Sequence, residues 1–201
     1  MTITTQQVKE LREATGAGVL DCRNALEQSG GDFSKALEQL REKGLATAAK
    51  RADRETLEGI VELYSHGNGR VGVMVEVNCE TDFVARSEAF RTFAHEIALQ
   101  VAASAPRYLR VEDIPQEILE KEMEDARYRA KAEGKSEDLL DKIAEGRIEK
   151  FKDEVCLPRQ TYIRDETITV EQLLLQTIAA IGENIVIRRF ARWELGENVA
   201  Q

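Results

Sequence analysis

The residues best suited to chemistry in this sequence are three cysteines and two histidines. Cys22, Cys79 and Cys156 are separated by long gaps and include no Cys-x-x-Cys pair, so the sequence predicts reduced thiols rather than a zinc site or a disulfide framework. Cys79 and His95 would be a nucleophile and its base in a thiol enzyme, but no third, orienting residue is recognisable. His66 lies in a predicted turn, and two histidines without a carboxylate cluster are weak evidence for a metal site.

Three glycines have the spacing of a dinucleotide-binding fingerprint. Gly67, Gly69 and Gly72 match Gly-x-Gly-x-x-Gly, a motif that binds a pyrophosphate when a strand precedes it and a helix follows. Here a strand-like segment follows, and Asn68 before Gly69 is a strong hairpin signal. We therefore interpret these glycines as a turn between two strands, and we expect no cofactor.

The segment from Cys79 to Ala85 places an acidic residue beside a large aromatic one, where a predicted strand gives way to a helix. Two interpretations are open. In the first, Thr81 or Asp82 caps the helix while Phe83 packs inward, the commoner fate of an aromatic side chain at such a corner. In the second, Phe83 projects outward as a wedge for a partner, and Asp82 is its polar companion.

Residues 1–54 predict a small bundle of three or four short helices that would form its own domain. Thr4 and Gln7 make a capping box for the first helix, and Asp32 is a good N-cap for the third, which Gly44 is expected to end. Helical spacing predicts a buried face composed of Val8, Leu11, Val19, Cys22, Ala25, Leu26, Phe33, Ala36, Leu37 and Leu40.

Residues 55–201 predict a second domain that mixes strands and helices. Alternating apolar residues over 56–79 predict two antiparallel strands, and the alternation from Asn184 to Leu195 predicts a third. A helix is expected over 87–104, with an apolar stripe of Phe90, Phe93, Ala94, Ile97, Ala98 and Val101.

Three further helices complete the predicted second domain. Two charged helices over 116–133 and 136–154 predict an antiparallel hairpin around Gly134. A capping box of Thr169 with Gln172 opens a helix that runs through Ile181. Helices outnumber strands and the strands pair antiparallel, so the fold class is α+β.

The composition argues against two classes of partner. The chain has 201 residues and a formal net charge of -9, whereas proteins that bind nucleic acid directly, or an acidic membrane surface, carry a basic surplus. No apolar stretch is long enough to span a bilayer, and the first residues do not read as a secretory signal. We expect a cytoplasmic protein.

Four runs of residues, in order along essentially the whole chain, resemble the translation elongation factor Ts family. They are Leu11 to Cys22, Val75 to Ala85, Glu145 to Arg147 with Lys150, Phe151 and the turn from Val155 to Gln160, and Ile181 to Ile185 with Ile187 to Arg189. The resemblance implies a guanine-nucleotide exchange factor that acts by binding elongation factor Tu, in its GDP-bound and nucleotide-free states. It is not expected to be an enzyme.

The resemblance also implies roles for individual residues. The N-terminal domain would be a ubiquitin-associated-like bundle that docks on the partner's nucleotide-binding domain through Arg12, Val19 and Leu20. The segment that dislodges magnesium from the partner would be Thr81, Asp82, Phe83 and Val84, which favours the outward interpretation of the aromatic ring. Ile181 and Gly182 would be further contacts from the core.

The chain departs from the longer members of that family in one respect. It carries one Thr-Asp-Phe-Val run and one Gly-Glu-Asn-Ile run, whereas longer members have two copies of the core subdomain. A homodimer would supply the second core half, and the sequence leaves that question open. The short form suits a bacterium or the plastid stroma. Two rival functions, an interaction module and a thiol enzyme built on Cys79 and His95, also remain to be separated.

Overall fold

The computed structural model describes residues 3–197. The chain divides into two compact units, one formed by residues up to Leu99 together with those from Gln172 onward, the other by Gln100 to Glu171. Among the described residues, every helix is too short or too polar to cross a lipid bilayer. The predicted boundary near residue 54 stays a prediction.

The first unit begins with three helices, as the sequence predicts. They are α1 (Thr5–Thr15), α2 (Val19–Gln28) and α3 (Phe33–Ala49). The capping box forms, because the Thr4 hydroxyl accepts from the Gln7 amide while the Gln7 side chain accepts from the Thr4 amide. The helices enclose a core of Val8, Leu11, Cys22, Ala25, Leu26, Ala36 and Leu40.

Three details of the predicted bundle are wrong. Val19 and Phe33 are exposed rather than buried, because each lies at the first position of its helix. Gly44 does not end α3, which continues to Ala49. A Cβ atom at position 44 would lie 3.3 Å from the Cβ of Ala179, so this glycine permits a close approach within the helix instead of stopping it.

The three-stranded antiparallel sheet of the first unit confirms the predicted strands. Strands β1 (Glu58–His66) and β2 (Val71–Cys79) pair through the predicted turn, and β5 (Ile185–Glu194) pairs with the other edge of β2. In the turn, Gly67, Asn68 and Gly69 all have positive φ, as residues of a tight hairpin turn do, and strand β2 rather than a helix follows them. The inward face carries the buried residues Val73, Val75, Val77, Ile185 and Ile187.

Two helices follow β2. A short helix, α4 (Asp82–Ala85), precedes the long helix α5 (Glu88–Ser104). The predicted apolar stripe of α5, from Phe90 to Val101, is buried throughout. His95 on α5 contacts Glu62 of β1 at 2.8 Å and meets the Tyr64 ring edge-on, so this helix lies against the sheet. After the second unit, α8 (Val170–Ile181) leads into β5.

The second unit contains the predicted helical hairpin. Helices α6 (Gln116–Ala132) and α7 (Glu137–Val155) pack against each other, with small residues such as Ala126, Ala130 and Ala144 buried between them. Two short strands, β3 (Thr161–Tyr162) and β4 (Asp165–Thr169), form a separate sheet. The sequence interpretation missed these strands, because they are too short to show a period of two.

Candidate partner-binding site

The side chain of Phe83 projects into solvent from the corner between strand and helix. Its residue is 82 % exposed, whereas Val84 and Ala85 beside it on α4 are buried. The short helix therefore has an inner side that anchors it and an outer side that presents the ring. Of the two interpretations of this corner, the inward packing of Phe83 is wrong.

The capping part of that first interpretation is correct. The Thr81 hydroxyl accepts a hydrogen bond from the Val84 amide at 3.3 Å and so caps α4. The same hydroxyl donates to the carboxylate of Glu183 at 2.7 Å. Thr81 thus fixes the start of the helix that carries Phe83, while the side chain of Val84 is buried.

Asp82 has a local partner that binds it weakly. Its Oδ2 lies 2.6 Å from a guanidinium nitrogen of Arg86, and the two side chains are 61 % and 75 % exposed. An exposed ion pair at this helical spacing contributes only about 0.3–0.5 kcal/mol. The carboxylate is therefore available to hydrogen-bond donors of a partner, because the pair with Arg86 costs little to separate.

The three candidate contacts of the N-terminal bundle cluster where α1 turns into α2. Arg12 lies in the last turn of α1, and Val19 and Leu20 open α2 after the turn at Gly16. Leu20 is 74 % exposed and Val19 is also exposed. An apolar pair beside a cation, outside the core of the bundle, is a surface suited to a protein partner.

Ile181 and Gly182 lie at the end of α8, where it gives way to β5. Ile181 is half-buried, and Gly182 has a φ of 91°, a left-handed conformation that favours glycine. A Cβ atom at Gly16 would lie 3.0 Å from the Cβ of Ala180, so the α1–α2 turn lies beside this end of α8. Val19, Leu20, Ile181 and Gly182 therefore occur in one region of the first unit.

Glu183 and Asn184 were missed as candidate functional residues. The Glu183 carboxylate accepts hydrogen bonds from the backbone amides of Glu80 and Thr81, each at 3.1 Å. The Glu80 carboxylate in turn accepts a hydrogen bond from the backbone N–H of Asn184 at 2.6 Å. In the sequence, Glu183 is only a charged residue between Gly182 and a predicted strand. Such a residue does not indicate a hydrogen-bond partner more than 100 positions away.

The structure does not support a thiol enzyme built on Cys79 and His95. Cys79 is fully buried, and its thiol donates to the Thr81 carbonyl at 3.2 Å. Burial, aided by the nearby charge of Glu183, raises the pKa of this thiol to about 11, so the nucleophilic thiolate is disfavoured. His95 is bonded to Glu62 instead.

The described residues also offer little for metal or cofactor chemistry. Within residues 3–197, no three His, Cys, Asp or Glu side chains group in a way that would hold a metal ion. The glycines that imitate a dinucleotide fingerprint form the β1–β2 turn.

Comparison with known proteins shows which proteins this chain is similar to in sequence. Residues 5–197 match the sequence model of a family described as "Elongation factor TS". A protein named "Elongation factor Ts" from Carboxydothermus hydrogenoformans is 58 % identical over 199 residues, covering 99 % of this chain and 92 % of the relative. One of that name from Caldanaerobacter subterraneus subsp. tengcongensis is 59 % identical over 197 residues, 98 % of each chain.

Proposed function

The chain belongs to the elongation factor Ts family of translation elongation factors, and we propose that it is a guanine-nucleotide exchange factor for elongation factor Tu. It would bind the partner in both the GDP-bound and the nucleotide-free state. The observation that carries this proposal is the Phe83 ring, which is 82 % exposed at a capped and anchored corner. Such a factor acts in the cytoplasm of a bacterium or in the plastid stroma.

The exchange would proceed by binding alone, without a covalent step. A GTPase holds GDP through its phosphate loop and through magnesium, which neutralises the phosphate charge. A factor that binds the nucleotide-free state more tightly than the loaded state must weaken GDP binding by the same ratio, because the coupling free energy is reciprocal. The chain therefore needs a contact that forms only when the partner's metal-holding elements have shifted.

Phe83 and Asp82 would make that contact. The ring would enter between helices of the partner only in the shifted conformation, and burial of one phenylalanine contributes about 2 kcal/mol. Asp82, released from Arg86, would stabilise the displaced helix by hydrogen bonds or by meeting its N-terminus. In this mechanism Thr81 and Val84 hold the corner, and magnesium leaves because its supporting elements have moved.

The bundle and the end of α8 would provide the docking surface. Arg12, Val19 and Leu20 would bind the partner's nucleotide-binding domain, with Ile181 and Gly182 as core contacts. These contacts would be the same in the loaded and the empty states of the partner. They would therefore supply affinity, whereas the corner at Phe83 would supply the discrimination between states.

A nucleotide-release assay tests the function directly. Elongation factor Tu loaded with fluorescent GDP is mixed with an excess of unlabelled GDP, with and without a substoichiometric amount of this chain, and release is followed by stopped flow. The proposal predicts a release rate at least tenfold above the spontaneous one, with each molecule acting many times. A release rate unchanged by the chain rejects the exchange function and favours a plain interaction module.

A homodimer is a second part of the proposal, supported by the outer face of the sheet. Leu63, Met74 and Ala191 lie opposite one another across the three strands, and Val61 and Trp193 continue the same face. Leu63 and Trp193 are 66 % and 62 % exposed, so this apolar patch is largely uncovered in the single chain, and the Glu76–Arg189 ion pair adjoins it on the same face. A second copy presenting the same face would cover it in a twofold arrangement.

Sedimentation separates the dimer from the monomer. We expect the chain to sediment as a dimer at micromolar concentration, and Leu63→Glu to sediment as a monomer with unchanged helix and strand content. Glu38→Ala, which changes an exposed residue of α3, is the control and should remain dimeric. A wild-type chain that stays monomeric at all concentrations excludes the dimer, and leaves the exchange function to be judged by its own assay.

A further inference from the structure

Glu183 accepts three hydrogen bonds at the corner that carries the proposed wedge. Its Oε2 accepts from the backbone N–H groups of Glu80 and Thr81, and its Oε1 accepts from the Thr81 hydroxyl. The three donors, at 3.1, 3.1 and 2.7 Å from the carboxylate oxygens, all belong to these two consecutive residues. One side chain thus holds the chain immediately before α4.

This segment needs such a partner because the strand ladder has ended. Cys79 is the last residue of β2 paired with the neighbouring strands, so the next two amides leave the sheet with their N–H groups unpaired by it. A carboxylate that accepts two backbone N–H groups makes charge-assisted hydrogen bonds, which are stronger than neutral ones. The course of the chain from β2 into α4 therefore depends on Glu183.

The connection continues from Glu183 to the aromatic ring. The Thr81 hydroxyl donates to Glu183 and accepts from the Val84 amide, so the carboxylate orients the same oxygen that caps α4. Phe83 is largely exposed, and its own packing contributes little to its direction. The ring's direction must come from the backbone of α4 and, through the cap, from Glu183.

Asn184 connects the corner to the linker that follows the bundle. The Glu80 carboxylate accepts a hydrogen bond from the backbone N–H of Asn184 at 2.6 Å. The buried Asn184 side chain donates to the carbonyls of Ala52 and Arg54, at 3.2 and 2.9 Å. The linker after the bundle and the corner that carries Phe83 are therefore both hydrogen-bonded to the pair Glu183 and Asn184, between α8 and β5.

We infer that Glu183 is a positioning residue for nucleotide exchange, acting through Thr81 to aim Phe83 at the partner. The inference rests on the proposed function and adds a residue that need not touch the partner. It predicts that loss of the carboxylate lowers the maximal rate of nucleotide release at saturating factor. A merely structural role would reduce the amount of folded factor, which shifts the half-saturating concentration and leaves the maximum unchanged.

The test uses the full chain and elongation factor Tu loaded with fluorescent GDP. We expect Glu183→Ala to lower the maximal release rate at least tenfold. Glu183→Gln should stay within about threefold of the wild type, since its amide oxygen still accepts from both N–H groups and its NH₂ group donates to the Thr81 oxygen. Glu145→Ala, an exposed glutamate on α7, is the control and should not change the rate.

A double variant shows whether Glu183 acts through the ring. In the Phe83→Ala background, Glu183→Ala should lower the maximum by less than twofold further, because the ring that it aims is gone. Full additivity of the two effects overturns the inference. If Glu183→Ala does not fold, Glu183→Asp takes its place, since the shorter side chain keeps the charge but cannot reach all three donors; we expect at least a fivefold loss.

The outcomes separate this inference from the proposed function. Wild-type acceleration that Phe83→Ala abolishes, together with a maximal rate for Glu183→Ala within twofold of the wild type, overturns the positioning role and leaves the exchange function standing. No acceleration by the wild-type chain overturns both. A tenfold lower maximum with rescue by glutamine, and without additivity to Phe83→Ala, establishes the positioning role.

Discussion

Phe83→Ala is the substitution with the most direct consequence for the proposed mechanism. A phenylalanine side chain presents about 200 Å², and the residue is 82 % exposed in the free chain, so roughly 160 Å² is available to be buried in a partner. At about 25 cal/mol per Å² this area corresponds to an upper limit near 4 kcal/mol, and transfer of one phenylalanine gives about 2–3 kcal/mol. We expect a loss of about 30-fold or more in the maximal rate of GDP release.

The same substitution should leave the fold intact, because the ring contributes little to the core. We expect the free energy of unfolding to change by less than about 0.5 kcal/mol in urea titrations. Tyr128→Ala is the matched control, since this tyrosine of α6 is 78 % exposed and similar in size; it should leave both the release rate and the stability unchanged. A release rate for Phe83→Ala within threefold of the wild type would refute the wedge.

Three further predictions address the bundle, the sheet and a buried thiol. Leu20→Asp should weaken binding to elongation factor Tu by about tenfold in calorimetry without changing the melting temperature, because the side chain is outside the core; unchanged affinity would contradict the docking role. Gly59→Ala should destabilise the chain by about 3 kcal/mol or more in urea titrations, because its φ is +150° and the new Cβ would lie 2.1 Å from the Val77 carbonyl oxygen. Gly72→Ala is the control, because position 72 has open space around it. Equal stabilities of the two variants would contradict the steric argument. Burial raises the pKa of the Cys79 thiol from 9.0 to about 11. As the pH rises above 9, the unfolded chain therefore loses the thiol proton while the folded chain keeps it. The contribution of the thiol to the free energy of unfolding is complete below pH 9 and is lost as the pH rises to 11. The stability difference between the wild type and Cys79→Ala should shift against the wild type over that interval, and a pH-independent difference would contradict the shift.

Much of the fold follows from local patterns in the sequence. The capping box at Thr4, the Asn68-Gly69 turn and the apolar stripe of α5 each depend on a few neighbouring residues, and the structure contains all three. Gly44 shows where local reasoning fails. A glycine near the end of a helical pattern is a common stop signal, but here the close approach of Ala179, 135 residues further along the chain, explains why a residue without a Cβ suits the middle of α3.

The candidate site also combines features that the sequence predicts with features that it does not. The order of residue types from Cys79 to Ala85, and hence the resemblance, is present in the sequence itself, and so is the capping capacity of Thr81. The direction of Phe83 is not, because inward and outward packing are both compatible with a capped corner. Whether a ring is buried depends on the volume that distant elements leave free, and no local pattern reports that volume.

The sequence by itself determined the α+β class, the extents of most helices and strands and the family of the chain, because these depend on short-range periodicity and on the order of residues. Only the tertiary structure decided that Phe83 is exposed, that the outer face of the sheet carries an exposed apolar patch and that Glu183 holds the corner. The physical reason is that a carboxylate binds the nearest unpaired N–H groups in space. Their distance along the chain, 102 residues for Thr81, does not enter that interaction energy.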